Sequence, residues 1–87
     1  MARYSLSIKR SAVRELEAVA RKGDRQRLVT RIEALASNPR PTACEKLAGH
    51  AHAYRVRQGD YRVLYTVDDA ERSVVVFKIG HRREVYR

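Results

Sequence analysis

Apolar residues open the chain at every second position. In "RYSLSI", residues 3–8, Tyr4, Leu6 and Ile8 alternate with small or polar neighbours, the period of a strand with one buried face. The period then lengthens. From Ser11, an expected N-cap, Ala12, Leu16, Val19 and Ala20 recur at helical spacing, and Gly23 is the expected C-terminal stop. Asp24 predicts the cap of a second helix with the stripe Leu28, Ile32, Leu35 and Ala36, and "SNPRP" ends it because proline disfavours a helical residue before it. The two helices should form a hairpin. Residues 38–50, "NPRPTACEKLAGH", read as a loop, with Leu47 the side chain expected to reach the core.

The stretch "YRVRQGDYRVLY", residues 54–65, predicts a tight β-hairpin. Gly59-Asp60 suits a two-residue turn with glycine at the first central position, where a type II′ turn needs positive φ. That turn sets the register. Tyr54 then faces Tyr65 and Val56 faces Val63 on one side, while Arg57 faces Arg62 and Arg55 faces Leu64 on the other. One face is apolar and the other carries arginines. "SVVVFKIG", residues 73–80, should pair beside the hairpin as a last strand, and its near-continuous apolar run implies burial on much of both faces. Helices are expected over the Tyr54, Val56, Val63 and Tyr65 side.

Composition narrows the class. A chain of 87 residues with 44% hydrophobic residues suits one domain, residues 1–87, with one modest core. No apolar run approaches the roughly 18 residues of a membrane span, and "MARYSLSIKR" lacks the apolar stretch of a signal peptide, so a cytoplasmic protein with no membrane partner is expected. Cys44 is the single cysteine, which rules out an intrachain disulfide and a multi-cysteine metal site. His50 and His52 lie nearby but lack a clear fourth ligand, and read as solvated loop side chains. The balance of 19 Lys+Arg against 10 Asp+Glu, a net charge of +9, favours an anionic partner, either nucleic acid or an acidic protein.

Charge also makes the hairpin conspicuous. Like charges directly opposite on a sheet oppose folding by roughly 0.2–1 kcal/mol, so Arg57 opposite Arg62 needs a reason. One reading has both side chains splaying into solvent or pairing with carboxylates such as Asp60 and Glu84. The other is an anion site. The tail "GHRREVYR" favours the second, because it adds His81, Arg82, Arg83, Tyr86 and Arg87. Planar guanidinium donors suit phosphate, and an aromatic ring can stack on an unpaired base.

The helix hairpin, the "NPRP" loop, the arginine hairpin, the acidic turn "DDAE", the apolar strand and the ending "GHRREVY" together resemble the RelE/ParE toxin superfamily, and more closely its RelE-type mRNA interferase branch. The resemblance covers essentially the whole chain. It implies an α+β fold in which an N-terminal strand and a two-helix hairpin pack on a small, mainly antiparallel sheet. It also implies a neutralising antitoxin, with a toxin–antitoxin heterotetramer as one assembly left open, and cleavage of messenger RNA in the decoding site of a translating ribosome. No metal or organic cofactor belongs to that activity. By the same resemblance Arg62 is the phosphate-binding hairpin arginine, Arg82 the arginine after the last strand, and Tyr86 the near-terminal tyrosine that stacks on a base and helps remove the 2′-hydroxyl proton.

Arg55 and Arg57 stand where some members of the family carry lysines. Arginine stays protonated, so these two are assigned to binding rather than proton transfer, and with His81 and Arg83 they make up the expected RNA- and phosphate-binding set. His81 can exchange a proton near neutral pH and is a secondary candidate, though a solvated side chain beside the strand end is an equally good reading. The alternative from another class is a ParE-like inhibitor of DNA gyrase that catalyses nothing.

Overall fold

The computed structural model of the protein describes residues 3–81. The elements in chain order are β1 (Ser5–Ile8), α1 (Arg10–Glu17), α2 (Lys22–Ala34), β2 (Glu45–Lys46), β3 (Ala53–Gln58), β4 (Tyr61–Asp68) and β5 (Ser73–His81). The five strands form one sheet in the order β1-β5-β4-β3-β2, parallel between β1 and β5 and antiparallel elsewhere. This is the α+β architecture expected from the sequence.

The helix boundaries differ from expectation, for local reasons. Lys9, not Ser11, is the N-cap of α1, and no side chain caps it. The Lys9 N–H is instead bonded to the Val76 carbonyl at 2.9 Å, so the chain passes from the β1 ladder directly into the helix. At the other end α1 stops at Glu17, before Gly23. Val19 is buried from the link between the helices, where Arg25 Nη1 donates to its carbonyl at 2.7 Å. The apolar stripe therefore outruns the helix that it suggests. Gly23 belongs to α2, and Asp24 lies in the first turn of α2, behind the N-cap Arg21. A carboxylate there still favours the helix, through the partial positive charge of its N-terminus.

The hairpin register is the predicted one: Tyr54 pairs Tyr65, Arg55 pairs Leu64, Val56 pairs Val63 and Arg57 pairs Arg62. Gly59 turns it with φ 61°, and among the described residues only Arg72 is a non-glycine at positive φ, as a type II′ turn at Gly59-Asp60 requires. Val56, Val63 and Tyr65 have no solvent exposure and join Ala12, Leu28, Ile32 and Leu35 in the core, so the helices cover the expected face.

Strand β5 contributes Val74, Val76 and Ile79 to the same core. The three-residue step from Val76 to Ile79 breaks the period of two. A register shift opposite Leu64/Tyr65, where Phe77 is the extra residue, restores the phase so that both side chains point inward. The remaining surprise is residues 38–50. Leu47 is half-buried outside the core cluster and Cys44 packs against the core in its place, while Glu45–Lys46 forms the edge strand β2. Tyr65 ties this segment down by donating its hydroxyl to the Pro39 carbonyl at 2.7 Å, and burial pushes that phenol's pKa well above its usual value.

Candidate functional site

Alternation along the hairpin sends Arg55, Arg57 and Arg62 to the face away from the helices. Their environments differ. Arg62 sits on the central strand β4, flanked by Arg57 on β3 and by Gly80 on β5, and is only 4% exposed. Gly80 puts no side chain beside Arg62. Arg62 Nη1 approaches the Tyr61 carbonyl at 3.4 Å. Arg57, nearer the edge, has a side chain 56% exposed, and Arg55 one only 18% exposed.

A carboxylate enters this face from β2. Glu45 is in register with Arg55, and its Oε1 accepts a hydrogen bond from Arg55 Nη2 at 3.0 Å. The same oxygen lies 3.8 Å from Arg57 Nη2. Two guanidiniums thus converge on one anionic oxygen, and the fold brings three hairpin arginines and one glutamate together. Glu45 was hidden because a two-residue strand carries no periodic signal.

His81 lines the helix side of the sheet. It is in register with Tyr61, and the two rings meet edge-on with centroids 5.6 Å apart. With Glu15, Val19 and Ile79 they line a hollow of about 310 Å³ on the helix side of the sheet. Its neighbour Lys78 is drawn towards α1, where the Glu15 carboxylate takes Lys78 Nζ at 2.7 Å and the Ile79 N–H at 2.9 Å. Arg82, Arg83 and Tyr86 lie outside the described residues. Among the described residues no cluster of three or more His, Cys, Asp or Glu side chains could hold a metal ion.

A second polar group, also absent from the sequence reading, braces the sheet. Arg40 donates Nη1 and Nη2 to the two oxygens of Asp69 at 3.1 and 2.7 Å and Nε to the Tyr54 hydroxyl at 3.0 Å, while Tyr4 donates its hydroxyl to Asp69 at 2.6 Å. The Arg40 guanidinium, and after it the Tyr4 hydroxyl, hold the Asp69 carboxyl below the usual carboxylate range. These contacts are exposed and join the segment after α2 to the β4–β5 turn.

The likenesses to known proteins agree with this geometry. The family described as "ParE toxin of type II toxin-antitoxin system, parDE" matches residues 6–86. The toxin RelG of Mycobacterium tuberculosis is 40% identical over 37 residues, covering 42% of each chain. The RelE1 protein of Methanocaldococcus jannaschii is 37% identical over 59 residues, covering 64% of this chain and 66% of its own. The matched stretches span less than two thirds of either relative. In three dimensions the similarity is broader. The archaeal RelE–RelB complex from Pyrococcus horikoshii superposes with a TM-score of 0.81 at 29% identity, over 94% of this chain and 97% of that one. The chain belongs to the RelE/ParE superfamily of type II toxin–antitoxin toxins, on its RelE-type branch.

Proposed function

We propose that the protein is a toxin that cuts messenger RNA in the decoding site of the translating ribosome, acting in the cytoplasm. The observation that carries this reading is the gathering of Arg55, Arg57 and Arg62 on the sheet face away from the helices, with Arg62 almost fully buried on the central strand. Three guanidiniums on one face suit a phosphodiester whose negative charge grows during reaction. In the proposed step the RNA 2′-oxygen attacks the adjacent phosphorus and gives up its proton, while the bond from phosphorus to the 5′-oxygen breaks and that oxygen takes a proton. The products are a 2′,3′-cyclic phosphate and a 5′-hydroxyl. Arg62 stabilises the extra charge, a role that family resemblance also gives to Arg82. Tyr86 takes the 2′-hydroxyl proton on the same ground. The helix-side position of His81 speaks against a proton-transfer role for it.

An antitoxin partner is part of the proposal, supported by the similarity to a RelE bound to RelB. A groove of about 700 Å³ between α1 and α2 suits its amphipathic, acidic segment, because Leu16 and Val29 offer apolar surface beside Lys22 and Arg25. Among the described residues no helix is long and apolar enough to cross a membrane. The ParE description of the matching family favours a second reading, inhibition of DNA gyrase without catalysis.

Mapping of message ends on defined translating ribosomes separates the two. Cuts within the decoding-site codon that need the ribosome and disappear with Arg62→Ala are the expected result. Intact message at toxic concentrations, with loss of gyrase supercoiling, would replace the endonuclease reading by the second.

A further inference from the structure

We propose that Glu45 is a resident anion in the hairpin arginine site. Its carboxylate engages Arg55 and Arg57 in the free protein, yields them to an incoming phosphodiester, and so sets the affinity of the site. This rests on the RNA-binding reading above. The geometry is specific: one Glu45 oxygen stands 3.0 Å from Arg55 Nη2 and 3.8 Å from Arg57 Nη2, where a non-bridging phosphate oxygen would be received by two guanidiniums.

Three features make the carboxylate displaceable. Glu45 is half exposed and Arg57 more so, and ion pairs that remain in contact with water are held weakly. Glu45 also belongs to a two-residue strand at the sheet edge, so swinging its side chain out disturbs no core residue. Finally, a phosphodiester shares its one charge over two non-bridging oxygens and can offer one to each arginine, where Glu45 meets both with the same oxygen. A carboxylate left about 4 Å from a bound phosphate would oppose it in water by a factor of about five, so its departure or neutralisation should be visible in binding.

The test measures binding of inorganic tripolyphosphate and of a short single-stranded RNA to the full chain, as wild type and as Glu45→Gln. An Arg55→Ala/Arg57→Ala background and the surface control Glu71→Gln, on the turn at the far end of β4, complete the set. Glu45→Gln should tighten both ligands about fivefold at low salt, lose that gain when the two arginines are absent, and exceed Glu71→Gln. Unchanged or weaker binding by Glu45→Gln overturns the proposal, as does an equal gain in Glu71→Gln. Ribosomal cleavage assays on the same proteins keep the two ideas apart. A tripolyphosphate gain without cleavage by any form upholds the role of Glu45 and rejects the endonuclease. Cleavage with unchanged affinity does the reverse.

Discussion

Arg62 and Gly59 show what single positions in the hairpin are for. An arginine 4% exposed on a central strand, paired with a second arginine, runs against the preference of arginine for water and of like charges for distance. Such a placement makes sense where a planar, permanently charged fork must be fixed for an anion. Arg62→Lys keeps the charge and loses the fork. Both Arg62→Lys and Arg62→Ala should therefore slow single-turnover cleavage by about 100-fold or more, the scale of removing one preorganised donor from a transition state. Wild-type speed in Arg62→Lys would mean that charge alone suffices. Gly59 is a backbone requirement. Beyond its two chain neighbours no heavy atom lies within 4 Å of a Cβ placed there, so Gly59→Ala meets mainly the strain of φ 61°. The expected cost is about 1–2 kcal/mol, a fall in Tm of about 4–8 °C for each kcal/mol in a domain of this size, with Gly59→Asn milder. A thermal melt of the three forms decides it.

At the level of elements, the brace between the segment after α2 and the β4–β5 turn is pH-sensitive. Arg40 and Tyr4 lower the Asp69 pKa in the folded protein. A lowered folded pKa adds stability that is complete above the unfolded value of about 3.9 and is lost as pH falls through the lower folded value. Wild type should melt above Asp69→Asn at pH 6, and the two Tm values should converge towards pH 2. A gap that stays constant would assign the stabilisation to something other than the ion pair. Arg40 and Asp69 also mark where the sequence stopped being readable. The hairpin could be read to the residue because period-two alternation and the Gly59 turn act on neighbouring positions. Pairing Arg40 with Asp69 depends on how a loop lies against a distant turn, and no local pattern encodes that. The same holds for Glu45. Its neighbour Arg55 was visible in the strand pattern, but a two-residue strand at the edge is fixed by its partner rather than by its own sequence. Val19 misled in the opposite sense, since a buried link residue at helical spacing extends an apparent stripe past the real helix end.

For the molecule as a whole, the sheet separates two kinds of surface. One face is consumed by the helices and the core, and the other gathers the hairpin arginines of a chain with net charge +9. General positive charge would attract RNA from any direction, whereas arginines gathered on one face should account for a definite number of displaced counterions. Single-stranded RNA binding weakens with salt at a logarithmic slope of about 0.7 per phosphate neutralised. If Arg55 and Arg57 together hold one phosphate, replacing both by alanine should lower the slope by about 0.7, whereas replacing Arg27 on α2 and Arg72 in the β4–β5 turn should change it little. Fluorescence anisotropy across a salt series gives both slopes directly. Equal reductions in the two double variants would mean that RNA responds to net charge alone, and the arginine face would lose its claim to be the binding site. A reduction confined to the hairpin variant would locate the contact on the face that holds Arg62, and cleavage by the same proteins would then report on chemistry separately from attraction.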